Sequence, residues 1–238
     1  IEFDNVMNTT KNLIRNGGES AKETSEGIKA MTDNAEKYSN KYGISQKQIA
    51  DGYQDLVKRG YTSKQALGAM NSELKASIAT GDEFSDVTTV ASQTLESFGL
   101  KANSTKTMTR NTNKVLNELS YAADATSTGF SDLGIGMSYV GSTAHQAGLS
   151  LAETASAMGI LSNNGLEADK AGTGLRQVIN SLVKAVGNID KKNSLLRKLG
   201  IEKSELVDAN GNLKDLSTVM GVIEKHTEGK DPTEKGAL

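Results

Sequence analysis

The chain has 238 residues, 36% hydrophobic and 24% charged, with 27 basic and 29 acidic side chains; it can bury a core and is no disordered tail. A net charge of −2 excludes a protein that wraps or reads nucleic acid through a basic face, so no sequence-specific nucleic-acid binding is expected. Cysteine is absent, which excludes disulfide frameworks, thiolate zinc sites and cysteine nucleophiles.

Aromatics make up 4% with no tryptophan, so the core has to be built from Leu, Ile, Val, Met and Ala, side chains that suit helix-on-helix packing. The single proline is Pro232, and none interrupts the chain before it. No apolar run approaches the ~20 residues of a membrane span, and no signal peptide is visible. The chain starts at Ile1 without a methionine and reads as a segment of a longer protein.

Residues 1–42 are polar, with widely spaced apolar positions (Val6, Leu13, Ile14, Ile28, Met31, Tyr38). They read as weakly amphipathic helix interrupted at Gly17-Gly18, leaning on a partner or fraying, since they cannot make a core alone. From Gly43 the pattern sharpens. Ser45 and Gln48 form a capping-box pattern, Ile49, Tyr53, Leu56 and Val57 share one face, and Gly60 closes the helix as a left-handed cap. Ser63 opens the next helix, with Leu67, Met70, Leu74 and Ile78 expected inward and Gly81 after it. Val87, Val90, Ala91, Leu95 and Phe98 form a third stripe closed by Gly99.

Asn103 or Ser104 caps a longer helix carrying Met108, Val115, Leu116 and Leu119. The small-residue region 121–148, with Gly129, Gly134, Gly136 and Gly141, is expected to be closely packed helix, although each interior glycine costs about 1 kcal/mol relative to alanine. Ser150 and Glu153 make a second capping box before Leu151, Ala155, Met158 and Leu161. Leu175, Val178, Ile179, Leu182, Val183 and Val186 give the strongest helical stripe; their positions do not alternate, so a strand is excluded. A short helix over 191–199 ends at Gly200, Asn210-Gly211 suits a tight hairpin turn within 205–214, and a last helix covers 216–226.

The expected fold is all-α: packed short helices, as helical hairpins or a bundle, with one small β-hairpin near residues 205–214. Helices recur about every 20 residues, but no fixed period with repeated side chains appears, so a bundle is preferred to a solenoid. Three regions are expected: a polar helical segment 1–42, a helical core module 43–200, and the hairpin with its terminal helix, 201–238.

Chemistry-bearing patterns are incomplete. Gly136-Met-Ser-Tyr-Val-Gly141-Ser142-Thr143 has the glycine spacing of a phosphate loop, but Ser142 replaces the lysine and no apolar strand precedes it. Asp208, Asn210 and Asn212 begin like a calcium loop, but Leu213 stands at its glycine position and Val219 at its glutamate. His145 and His226 have no second histidine at metal-ligand spacing. Glu96-Ser97 resembles the acid–serine pair of some peptidoglycan-cleaving transglycosylases without the rest of that pattern. No catalytic, cofactor-binding or metal residue is assigned, no cofactor is expected, and the chain does not read as an enzyme.

Several blocks together resemble a known family. The most specific is the run 149–176, which joins a capped helix from Ser150, a turn at Asn163-Asn164-Gly165, and the helix opening Ala171-Gly172-Thr173 with Leu175-Arg176. Tyr61-Thr62-Ser63 with Ala66-Leu67-Gly68, Glu96-Ser97-Phe98-Gly99-Leu100, the run 120–125, Leu199-Gly200-Ile201 and Asp208-Ala209-Asn210-Gly211-Asn212-Leu213 occur in the same order. Over about residues 43–220 this sequence resembles the characteristic region of tape measure proteins of long, flexible-tailed phages and prophages, especially those of Gram-positive hosts. One departure is Ser142, where many members carry proline after the glycine.

The resemblance implies a virion structural protein in the lumen of the tail tube, present in the host cytoplasm during assembly and at the host membrane during ejection. It implies self-association as a trimer or hexamer, and tail tube, tail chaperone and tail-tip proteins as partners. Its helical length would set tail length, and it would leave ahead of the DNA. A ruler should be long continuous helix at about 1.5 Å per residue with sustained heptads, whereas 43–220 reads as short capped helices. A compact module for docking or membrane passage is therefore expected. Two other classes stay open: a cell-wall hydrolase (muralytic) domain, carried by some tape measure proteins, and a membrane-perturbing helical pore module. The small-residue stretch 129–148 is the candidate for switching or membrane contact; Gly172, Thr173 and Arg176 read as a helix start.

Overall fold

The computed structural model describes residues 2–230; Pro232 and the end of the expected 201–238 region lie outside the described residues. The described residues form two compact units. Unit 1 comprises residues 2–121 with Gly129–Gly134, and unit 2 comprises Ala122–Thr128 with residues 135–230. Twelve helices and one isolated antiparallel bridge, Val207 with Leu213, account for the regular structure among the described residues. The all-α expectation holds.

Unit 1 starts with α1 (Glu2–Asn16) and α2 (Ala21–Tyr42). Both lie against α3 (Gln46–Lys58), which also touches α4 (Ser63–Thr80) and α5 (Phe84–Ser97), so α3 is the hub. Ile49, Tyr53 and Leu56 of α3 are fully buried. The polar residues of α1 and α2 gain a buried face through threonine as well as apolar side chains. Thr10 and Thr24 are buried beside Met7, Ile14, Met31, Ala35 and Tyr38, and their hydroxyls donate to the carbonyls of Val6 and Ser20, both at 2.8 Å. A threonine satisfied in this way buries almost like valine.

Caps set the helix ends. Ser20 with Glu23, Ser45 with Gln48, and Thr62 with Gln65 are reciprocal capping boxes. Ser63 opens α4 as expected, with Thr62 as its cap, and the Ser63 N–H and hydroxyl donate to the Glu19 carboxylate at 2.6 and 2.5 Å. An acidic side chain from the α1–α2 turn thus occupies the positive end of α4, where the Gly27 Cα position also abuts Ser63. Gly43 and Gly81 close α2 and α4 in the left-handed conformation. In α4 Met70 and Leu74 are buried as expected, but Ala66, Ala69, Glu73 and Ala76 are buried with them and Ile78 is 54% exposed. At ~100° per residue Ala66, Ala69, Glu73 and Ala76 lie on the side of Met70 away from Ile78. The small side chains face inward because they admit close neighbours. At Gly68 an added Cβ would lie 2.7 Å from both Met108 Cβ and the Thr105 carbonyl. The third stripe holds: Val87, Val90, Ala91, Leu95 and Phe98 are buried. Ser104 caps α6 (Thr105–Asp124), accepting from the Thr107 N–H at 3.2 Å, and Met108, Val115, Leu116 and Leu119 are buried.

The helix α7 (Phe130–Gln146) runs unbroken through Gly141 and Ser142, so the departure from glycine–proline leaves continuous helix. Unit 2 contains its larger part, then α8 (Leu151–Asn163), α9 (Ala168–Gly187), α10 (Leu195–Lys198), α11 (Lys203–Leu206) and α12 (Leu216–Thr227). Of the expected helix 191–199 only α10 forms; Leu199 ends it, with Gly200 left-handed. The hairpin is short. Its first residues are taken by α11, leaving the Val207–Leu213 bridge with Asp208 N–H donating to the Asn212 carbonyl at 2.9 Å.

The second capping box is only half made. Ser150 accepts from the Glu153 N–H at 3.2 Å, while the Glu153 carboxylate accepts from the Leu216 N–H and so fixes the start of α12. The long stripe of α9 is also divided. Leu175, Ile179 and Val186 are buried, but Val178 and Val183 are 47% and 46% exposed. The six positions span an arc of ~140°, and these two stand at its edges.

A glycine contact fixes α7 against α9 in unit 2. A Cβ on Gly172 would lie 2.5 Å from the Gly136 carbonyl oxygen and 3.0 Å from its Cα, so the two backbones touch. Gly174, two residues on, has open space around it. Gly172→Ala is expected to destabilise unit 2 by about 1–3 kcal/mol, since backbone must move, whereas Gly174→Ala gains about 1 kcal/mol of helix propensity. Urea unfolding followed by circular dichroism measures both. Glu19→Ala is expected to cost about 1–2 kcal/mol by uncapping α4, and to speed protease cleavage in the α1–α2 turn at 17–20. Unchanged cleavage would show that this carboxylate does not hold the turn in place.

Candidate functional site

The sequence motifs with chemical potential resolve into structural roles. Gly136 to Thr143 lie within α7, so no loop of N–H groups is presented to a phosphate. Asp208 Oδ1 accepts from the N–H groups of Asn210 and Asn212, each at 2.9 Å, which folds the hairpin turn around the side chain. Gly211 there is left-handed. Glu96 pairs with Lys101 at 3.1 Å and the Ser97 hydroxyl donates to the Gln93 carbonyl at 2.7 Å; this is a helix end, with no acid aimed at a nucleophile. His145 stands exposed in the last turn of α7. His226 is held at both ring nitrogens, Nδ1 3.0 Å from the Leu199 carbonyl and Nε2 3.2 Å from Glu205 Oε1. The Glu205 carboxyl lies below its ordinary range because it accepts from the Glu202 N–H and from His226. Among the described residues no three His, Asp or Glu side chains gather as a metal site, and no helix is long and apolar enough to cross a membrane.

Two features remain that could do more than hold the fold. The first, in unit 2, involves α7 and α9, which touch at Gly136 and Gly172. The same two helices, with α11 and the hairpin, line an open groove of about 400 Å³, with Thr143, Gln146, Asn180, Val183, Val186 and Lys203 among its residues. The structure therefore brings together the small-residue stretch and the helix opening at Gly172, both singled out by sequence. Lys203 is the single titratable lining residue, so the groove can hold a side chain or short segment but has no acid–base pair.

The second feature, in unit 1, escaped the sequence reading. Glu73 of α4 is wholly buried. Its Oε2 accepts from the Thr88 hydroxyl of α5 at 2.9 Å, and Oε1 has no protein partner. Burial pushes its carboxyl up to about 7; the Thr88 bond and Arg59 oppose that shift, and Asp55 adds to it. Arg59 is itself engaged by Asp55 at 3.3 Å. The available signal was the spacing Ala66, Ala69, Met70, Glu73, Ala76, which places a carboxylate in the middle of an otherwise apolar face.

Comparison with known proteins gives these features a family. The sequence profile described as "Phage-related minor tail protein" matches residues 32–238. A tape measure protein of Pneumococcus phage Dp-1 is 28% identical over 212 residues, covering 89% of this chain and 17% of that relative. The chain thus spans about a sixth of the length of the curated relative it matches. No solved structure matches it. The order of blocks read from the sequence and the profile over most of the chain agree: this chain belongs to the family of phage-related minor tail proteins.

Proposed function

We propose that this chain is a compact helical module of a tape measure protein, carried in the lumen of the phage tail tube. There it takes part in tail assembly and in DNA ejection, and it is structural rather than enzymatic. The observation that carries this reading is helix length. The longest described helix, α2, has 22 residues and ends in a left-handed glycine cap, and its neighbours are shorter and capped in turn. A ruler rod needs helices that continue at about 1.5 Å per residue over the whole measured distance, and capped helices that fold back on one another cannot supply that length.

The same proposal covers the partners. Tail tube, tail chaperone and tail-tip proteins are the expected contacts, with self-association as a trimer or hexamer and contact with the host membrane during ejection.

The test is tail length by electron microscopy in virions whose tail gene lacks residues 43–220 in frame. The module reading expects unchanged tail length with lost DNA delivery, or failure of assembly. Shortening by roughly 1.5 Å per deleted residue would mean that the segment acts as extended ruler.

A further inference from the structure

Glu73 is the carboxyl among the described residues of unit 1 whose surroundings suit its neutral form better than its charged form. It has no exposure to water, one hydroxyl donor, and one oxygen without a protein partner. A buried carboxylate with a single neutral donor costs far more than the protonated acid in the same place. Its location gives that cost a mechanical consequence: the Thr88 bond joins α4 to α5, and α4 also packs against α2 and α3.

We propose that the buried Glu73 carboxyl is a proton-operated latch: α4 and α5 stay closed over it while it carries its proton, and they loosen when the proton is lost, because burying the charge costs more than the Thr88 bond returns. The groups that act on it are few. From α3 come Arg59, already engaged by Asp55, and Asp55 itself, whose opposite effects offset each other. From the α3–α4 turn comes the buried Tyr61, whose hydroxyl donates to Ser92 at 3.0 Å and which burial keeps in its neutral form. Among the described residues no charged group of α2, α5 or α6 acts on it.

The sign follows from linkage. An acid raised from 4.5 to about 7 in the folded state keeps its proton there when the unfolded chain has lost it. Stability is therefore full below the unfolded value, falls as pH rises from 4.5 to about 7, and is level above that. The other carboxyl of unit 1 with a displaced titration has the opposite sign. Glu23 is lowered by the Ser20 hydroxyl and N–H and by Lys64, so its contribution is lost only as pH falls below the ordinary carboxylate range. The window between pH 5 and 7 belongs to Glu73.

The experiment is amide hydrogen exchange of the 238-residue chain at several pH values from 5 to 8, corrected for intrinsic exchange, in the wild type and in Glu73→Gln. The wild type is expected to show α4 and α5 opening on the order of fifty-fold more often at pH 8 than at pH 5. Glu73→Gln, which mimics the protonated acid, is expected to lose that dependence. Equal slopes in the two proteins, or a flat wild type, would overturn the proposal. Should Glu73→Gln fail to fold, the carboxyl carbon of Glu73 in 13C-glutamate-labelled wild type decides. A midpoint near 7 supports the latch, and one near 4.5 overturns it.

Discussion

Close approach between helices is what the rest of this structure depends on. With so few aromatic residues the chain cannot fill its interior with large rings, and the transfer free energy of small side chains, about 25 cal/mol per Å², gives each buried alanine or threonine little. What small residues supply is proximity. When Gly68 meets Met108 and Thr105, or Gly172 meets Gly136, backbones come near enough for many weak dispersion contacts to accumulate. Methionine fills the irregular space that remains: Met31, Met70, Met108, Met137 and Met158 are among the largest fully buried side chains, and their flexible thioethers adapt to such gaps.

Close packing leaves helix ends exposed to scrutiny, because a short helix has nearly as many end groups as internal ones. Here the ends are satisfied by neighbouring elements as well as by their own caps. Glu19 reaches the start of α4 and Glu153 the start of α12. Each carboxylate couples the stability of one helix to the position of another, so the short elements form units despite being individually marginal. His226 does similar work in unit 2, tying α12 to the Leu199 carbonyl and to Glu205.

Helix positions and ends were legible in the sequence because capping and glycine stops are local chemistry. Ser45, Gly60, Gly81, Ser104 and the α12 boundaries could be read without tertiary knowledge. Inward faces were less legible. Thr10, Thr24 and Thr154 are buried, yet a pattern scored on apolar residues leaves them outside, since their hydroxyls are satisfied only by carbonyls four residues back. Ile78, Val178 and Val183 failed the other way: an apolar arc wider than the contact it makes leaves its edges in water. Glu73 was missed for a related reason, since a carboxylate on a helix ordinarily marks the solvated side. The groove depended on α7 and α9 meeting, which no local pattern specifies. The family was legible because it rests on the order of several blocks.

This packing economy bears on the margin of stability. Native domains retain only about 5–15 kcal/mol of net stability, and few large rings, Tyr53 and Phe98 among them, anchor the core here. A carboxyl moved from 4.5 to about 7 represents about 3 kcal/mol between its charged and neutral forms, a substantial share of such a total. Placed on α4, beside the hub helix, it acts where several helices of unit 1 meet. Because α4 packs against α2, α3 and α5, a single protonation equilibrium there bears on the whole unit.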